Sequence, residues 1–320
     1  MKQLYLCLLA ISFGLFVQSR GQVPLKVIFD TDMGPDYDDV GAMAVLHSFA
    51  DQGKIDIKAV MSSNAFDLTG PTIQILNEYF HRPGIPVGVP KGKALNYKSP
   101  FCWNEYLVAR YPVKRKNYED AVALYRKVLS EAADKSITII TVGFLTNLSD
   151  LLDSKADSSS NLTGRELVAR KVRNLYCMGG RFPQGKEYNI RRDPLASKNV
   201  VDNWPASIYF LGFEVGIKIL TGKEFLTDYS IKNSPIKDVN IIVLPQRDED
   251  ANGRMSWDQA TVLAAVDNER KYFNVVRGDF LLNADGANSW KDNAEGNHYY
   301  FTPKASIEAI TKAIKLLMYR

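Results

Sequence analysis

The chain has 320 residues, 46% hydrophobic and 24% charged, with 21 Gly and 14 Pro. This is a globular composition, long enough for one large or two modest domains. The net charge is only +4, and no Lys/Arg stripe interleaved with aromatics is present, which argues against nucleic acid as a partner.

The first predicted element is a leader, "MKQLYLCLLAISFGLFVQSRGQ". Lys2 supplies a positive n-region. Leu4 to Val17 form an apolar h-region too short to span a bilayer comfortably, and a cleavage point lies between Ser19 and Gln22. Residues 1–21 are therefore expected to be a signal peptide and 22–320 one mature domain, exported to a periplasm or secreted. An uncleaved N-terminal anchor or a buried helix is the competing reading. No second apolar stretch approaches spanning length, so no membrane association is expected of the mature form. Of the three cysteines, Cys7 belongs to the leader, Cys177 in "NLYCMGG" reads as a buried free thiol, and no disulfide framework is indicated.

Strand and helix signals then alternate. "LKVIFD" predicts a buried strand. "DDVGAMAVLHSFADQG" predicts a helix, with Met43, Leu46 and Phe49 at helical spacing and Gly53 at its end. "IDIKAVMSSN" is strand-like, "PTIQILNEYF" helix-like and "IPVGVP" a short strand. "YEDAVALYRKVLSEA" is helical, and "SITIITV", "VRNLYCMGG" and "ASIYFLG" are further apolar strand-like runs. "ASIEAITKAIKLLM" closes the chain as a helix with Ile307, Ile310, Ile314 and Leu317 along one stripe. The low-complexity stretch "DSKADSSSN", residues 153–161, predicts a surface loop within one domain, and no internal repeat is present. The alternation predicts an α/β fold, a mainly parallel sheet with helices on both faces. Ligands of such sheets lie beyond the carboxyl ends of the strands. The candidate site residues are then Asp30 and Asp32, Asn64, the turn after Val142, and the "GGRFPQGKEYN" segment after Met178.

One stretch dominates. "VIFDTDMGPDYDDVGAM" carries Asp30, Asp32, Asp36, Asp38 and Asp39 within ten positions at a strand end. Carboxylates that close raise one another's pKa values and destabilise the fold unless a cation neutralises them. Oxygen ligands without His or Cys point to calcium or magnesium and away from zinc. A calcium loop of the helix–loop–helix kind needs Gly at its sixth position and Glu at its twelfth, where Pro35 and Gly41 stand. A phosphatase of the haloacid-dehalogenase type begins with a strand ending in D-x-D, but Gly34 occupies its usual Thr or Val position and no convincing downstream Lys with an acidic pair follows. A solvated acidic turn is the third possibility.

"DTDMGPDYDDVGAM" resembles the D-x-D-x-G-x-D-D fingerprint of the inosine–uridine-preferring nucleoside hydrolases, with two extra residues before the final Asp-Asp. "SSN" at 62–64, "VGFLTNL" at 142–148, "MGGRFPQGKEYNIRRDP" at 178–194 and "SWDQATVLAAV" at 256–266 are similar to later segments of that family, in the same order. The resemblance covers nearly the whole mature chain. It implies that Asp32, Asp39, Asp258 and the Val142 carbonyl bind Ca²⁺. It also implies that Asp38, with Asn64, Glu187 and Asn189, holds the ribose hydroxyls, and that Asp32 is general base toward a calcium-bound water. Asp30 is expected to orient its neighbours, and Asp36, in the insertion, has no assigned role. The implied activity is hydrolysis of the N-glycosidic bond of ribonucleosides, with a small-molecule ribonucleoside as the only partner besides a second copy of the chain, since a homo-oligomer is expected.

The chain departs from the best-known branch at the leaving group. A His precedes the late calcium-binding Asp there, whereas this chain has Trp257. An indole donates no catalytic proton at neutral pH, but its face can stack on a purine and favour a cationic base. This implies a purine leaning; a packing role for Trp257 is the alternative. Trp103, in "SPFCWNEY", is expected in a loop over the site as a second aromatic wall. His47, His81 and His298 match no acid position, Glu214 is expected to be structural, and "GANSW" at 286–290 has no assigned chemistry. A catalytically weak nucleoside- or ribose-binding protein on the same fold is the competing function.

Overall fold

The computed structural model describes residues 23–114 and 117–319. The expected signal peptide, residues 1–21, lies outside the described residues. Thirteen strands are present among those described: β1 (Leu25–Thr31), β2 (Ile55–Ser62), β3 (Val87–Val89), β4 (Glu119–Asp120), β5 (Ile137–Thr141), β6 (Val172–Met178), β7 (Gln184–Lys186), β8 (Ser207–Leu211), β9 (Leu220–Thr221), β10 (Arg254–Met255), β11 (Phe273–Leu282), β12 (Ala287–Asp292) and β13 (His298–Pro303).

Eleven of them form one sheet in the order β4-β3-β2-β1-β5-β6-β8-β13-β11-β12-β7, and β9 pairs with β10 separately. Every pairing from β4 across to β13 is parallel, and those of β11, β12 and β7 are antiparallel. The mainly parallel sheet expected from the alternating signals is therefore present. The antiparallel extension is an addition to it. The chain leaves β1 for β2, β3 and β4 on one side and returns to the other side of β1 with β5. That reversal opens a crevice at the carboxyl ends of β1 and β5.

Alternate side chains along β1 explain the two layers. Val27 and Phe29 enter one core with Leu46, Ile73, Val239, Val262 and Ile314, while Ile28 enters the other with Leu124, Leu148, Leu167 and Val200. Both sheet faces are thus covered by helices. The stripe of the closing helix (Ile307–Met318) behaves as its spacing predicts: Ile310, Ile314 and Leu317 are buried, and Ile307 is partly so.

Differences from expectation are local. The helix predicted from Tyr118 begins at Ala121, because Asp120 caps it by accepting from Ala123 N at 3.0 Å while Glu119 and Asp120 pair with β3. The loop over residues 153–161 is pinned by buried Arg126, which reaches Asp157 at 2.8 Å and the Ser160 and Leu162 carbonyls. Cys102 and Cys177 are free thiols. Among the described residues no helix is long and apolar enough to cross a membrane.

Candidate active site

A cavity of about 290 Å³ opens at the β1/β5 crevice, lined by Asp32, Asp36, Asp38, Asp39, Val142, Glu187, Asn189, Trp257 and Asp258, among others. Eight residues named as site candidates from the sequence therefore meet in one place: Asp32, Asp38, Asp39, Val142, Glu187, Asn189, Trp257 and Asp258. A larger and more open groove, about 630 Å³, runs along the closing helix. Of its two acids, Glu224 is already engaged by Lys315 and Tyr319, and with Glu308 it makes no comparable constellation.

Two helix starts aim carboxylates into the cavity. Asp38 and Asp39 open the helix Asp38–Asp51, and Asp258 sits in the first turn of the helix Trp257–Val266. The positive end of each helix offsets part of the repulsion between these acids. Thr31 Oγ1 donates to Asp39 Oδ1, and Met33 N donates to the same oxygen at 3.2 Å, so Asp39 is held in one orientation. Met33 itself stands at φ +24°, unusual for a side chain of that size, in the turn that swings Asp32 inward. Gly143, just after β5, allows the close approach: a Cβ there would stand 2.4 Å from Asp32 N and 2.5 Å from Ser63 Oγ.

Asp38, Asp39 and Asp258 carry oxygens within 4.8 Å of one another, all buried. This triple contains Asp38 in the place expected for Asp32, which lies against Asp39. The Val142 carbonyl accepts from Asn189 Nδ2 at 2.9 Å and keeps a second lone pair. Burial, and then the charge of Asp38, pushes Asp39 up to about 7. Burial followed by the Asp39 and Asp38 charges raises Asp32 as well, and burial with the charges of Asp38, Asp39 and Asp32 raises Asp258. Such a group is what a hard divalent cation stabilises, so the residues present fit one.

A stability consequence follows with a definite sign. Asp39 is ordinarily near 3.8 and stands at about 7 in the folded chain, so between those values the folded state holds more protons than the unfolded one. Stability without a cation therefore falls as pH rises through that window. Chelator-treated protein is expected to melt several degrees lower at about pH 8 than at about pH 5, with an added divalent cation restoring more at the higher pH. Differential scanning fluorimetry reads both arms. A melting temperature that rises with pH in the stripped protein would contradict the assignment.

Glu187 caps the short helix Tyr188–Arg192, accepting from Asn189 N at 2.9 Å and Ile190 N at 3.1 Å, and burial pushes it up to about 7. Trp257 is anchored by its edge, with Nε1 donating to the Phe213 carbonyl at 2.8 Å, and it packs on Gly216. Its ring remains partly exposed to the cavity, 5.2 Å from the Phe213 ring.

Two expectations need correction. Asn64 does not line the cavity. Its amide nitrogen donates to the Asp32 carbonyl at 2.9 Å and the Tyr97 carbonyl at 2.8 Å, and its oxygen accepts from Phe66 N and Tyr97 N. It fixes the Asp32 peptide and has no free group for a sugar. Trp103 is no aromatic wall either: it opens the helix Trp103–Arg110 and is fully buried in the core. Asp30 points behind the site, accepting from Tyr125 Oη at 2.9 Å and Asn147 Nδ2 at 3.0 Å.

The insertion also acquires a function. Arg254, buried against the carboxylates, pairs with Asp36 and with Asp38 at 2.8 Å, and Arg247 reaches Asp36 at 3.1 Å. Tyr37 Oη donates to Asp250 at 2.7 Å, closing the same network. Arg254 places a fixed positive charge beside Asp38 and lies 5.1 Å from the Trp257 ring. A position one turn before Trp257 was the available signal; the 216-residue separation from Asp38 hid it.

None of the histidines lines the cavity. His47 is buried against Asn77 and Phe80, and His298 accepts from Phe280 N at 3.0 Å.

A plant nucleoside hydrolase has the same fold, at 20% identity and TM-score 0.71 over 92% of this chain and 99% of that one. The inosine-uridine preferring nucleoside hydrolase of Bacillus anthracis superposes at 16% identity and TM-score 0.69, over 92% and 98%. A purine-preferring ribonucleoside hydrolase from Gardnerella vaginalis does so at 15% identity and TM-score 0.71, over the same shares. No curated protein sequence is detectably similar. The family model for the inosine-uridine preferring nucleoside hydrolases matches residues 27–295, from the middle of β1 past β12, and the chain belongs to that family.

Proposed function

We propose that the protein is a calcium-dependent, purine-leaning ribonucleoside hydrolase. The carrying observation is the convergence of Asp32, Asp38, Asp39 and Asp258 opposite Glu187, Asn189 and Trp257 in one cavity. Calcium would be held by Asp32, Asp39, Asp258 and the Val142 carbonyl, an all-oxygen set that suits it. When bound, it supplies positive charge to the vicinal sugar hydroxyls and acidifies a water.

The chain's own residues then account for the rest. Asp32 takes a proton from the attacking water as the C1′–N bond breaks and the ribosyl acquires oxocarbenium character. Asp38, Glu187 and Asn189 hold the sugar, so a deoxyribonucleoside would leave a buried polar position unsatisfied. Asn64 supports this indirectly, through the Asp32 carbonyl. Trp257, anchored at its edge, presents a face on which a purine can stack, and no imidazole is at hand to protonate it.

Trp257→Ala is accordingly expected to slow inosine hydrolysis by roughly ten- to a hundredfold, the worth of one base–aromatic stack. It should matter far less for p-nitrophenyl riboside, whose leaving group departs without protonation. Steady-state kinetics on both substrates decides. Equal losses with a lower melting temperature would reduce Trp257 to a packing role.

The absence of an imidazole from the cavity favours one other reading, a weakly catalytic nucleoside- or ribose-binding protein. A ribonucleoside panel assayed for free base and reducing sugar separates the two, since saturable binding without sugar release is the outcome only the binder predicts. Export through the leader and self-association belong to the same proposal and rest on the sequence alone.

A further inference from the structure

The cavity has an acidic floor but a basic rim. Arg181, Lys186 and Arg191 line it together with the carboxylates, and all three come from the segment that also supplies Glu187 and Asn189. Their charges are not committed to the floor, whose ion pairs run to Arg254 and Arg247. Among the described residues Arg181 and Arg191 have no carboxylate within ion-pair distance, and only Lys186 has one, Asp285 at 2.8 Å. Arg181 lies over the Phe213 ring, 4.0 Å from its centroid, and Arg191 lies 5.5 Å from the Tyr188 ring. Glu214 feels the Arg181 charge, but its carboxylate accepts from Phe182 N at 3.0 Å.

The rim is built, and the antiparallel hairpin of β11 and β12 builds it. Buried Asn288, in the "GANSW" segment, grips the Arg181 backbone twice, accepting from its N at 2.9 Å and donating to its carbonyl at 2.8 Å. Gly185, at φ +153° and paired with Asn288, leaves room for the Arg181 stem, whose Cδ stands 2.6 Å from where a Cβ would be. Gly286, at φ +80°, packs against the Arg191 backbone in the same way, at 2.8 Å from its Cα. One hairpin thus positions three cations over a sugar site.

A neutral nucleoside has no group that calls for them. A phosphate does, because guanidinium forks match its oxygens. We infer that the substrate class is the ribonucleoside 5′-monophosphates, with Arg181, Arg191 and Lys186 as the phosphate subsite. This rests on the ribosyl-hydrolase reading above. With O2′ and O3′ directed to the acidic floor and C1′ bearing the base, the 5′ oxygen is the sugar position left to carry the anion. The balance is that of the parent reaction: water adds its oxygen to C1′, the C1′–N bond breaks, and the purine leaves with a proton. The products are the free base and ribose 5-phosphate.

The test compares inosine and inosine 5′-monophosphate with the calcium-loaded protein, following hypoxanthine and ribose 5-phosphate by chromatography. The expected result is a kcat/KM for the monophosphate at least about tenfold above that for inosine. Arg181→Ala should cut that ratio by roughly ten- to a hundredfold, the worth of one charge-assisted bond, and added salt should cut it too. Turnover of inosine as fast as, or faster than, its monophosphate would overturn the inference while leaving the hydrolase reading intact. Loss of both activities in equal proportion in Arg181→Ala would also overturn it, as would a preference for xanthosine, which moves the anion to the base. No base release from either substrate would overturn the hydrolase reading itself, and this inference with it.

Discussion

Asp32→Asn should retain the fold while removing most turnover. A carboxylate that takes the water's proton typically contributes ~10²–10⁴-fold, and an amide cannot accept that proton. The position is held by features the substitution does not touch. Asn64 donates to the Asp32 carbonyl, and Gly143 admits the Asp32 peptide beside β5. An amide in the same pose would also relieve the repulsion with Asp39 and Asp38 that raises the Asp32 carboxyl. Loss of rate at saturating calcium, with retained folding, is therefore the specific signature. A variant within a few-fold of the parent would assign the base elsewhere, with Asp38 the next candidate.

Asp39→Asn is expected to act on the metal first. Asp39 is oriented by Thr31 and by Met33 N, so its remaining oxygen faces the other carboxylates. Removing that charge should weaken calcium binding at least as much as the ~10–100-fold seen when only a supporting group is changed. The stability effect should change sign with conditions. In calcium the variant melts below the parent, because less binding energy is linked to folding. In chelator it melts no lower, because one buried like charge has been removed. Elemental analysis after gel filtration is the direct check, and one ion per chain in the variant would refute the ligand role.

Strand ends were the readable part of this protein. β5 and the carboxyl-terminal halves of β1, β2 and β6 are runs buried on both faces, so their sequences announce them, and the polar residues that follow them had to lie in one crevice. β11 to β13 were not announced. Their faces alternate between packed and exposed positions, as in "FNVVRGDFLL", and the charges along them mask the period. The turn signal was present at Asp285-Gly286 and would have marked the hairpin.

Among the site residues, position alone did not separate ligand from support. Asn64 follows β2 closely, yet the turn around Tyr97 and the Asp32 peptide consume its amide. Trp103 sits in a polar-looking segment whose first helical turn folds inward to the core. The Arg254–Asp36–Arg247 network joins residues some two hundred positions apart, which no local pattern reports. The resemblance to the family supplied the expected ligand set, while the geometry supplied the basic partner of Asp38 and the hairpin that holds the rim.

The measurement closest to the central claim is sugar release from inosine by metal-stripped protein, before and after calcium is restored. A buried carboxylate group that needs a cation predicts lost hydrolysis on stripping and full recovery at one calcium per chain. Undiminished hydrolysis in the stripped protein, with its metal content verified by elemental analysis, would contradict it.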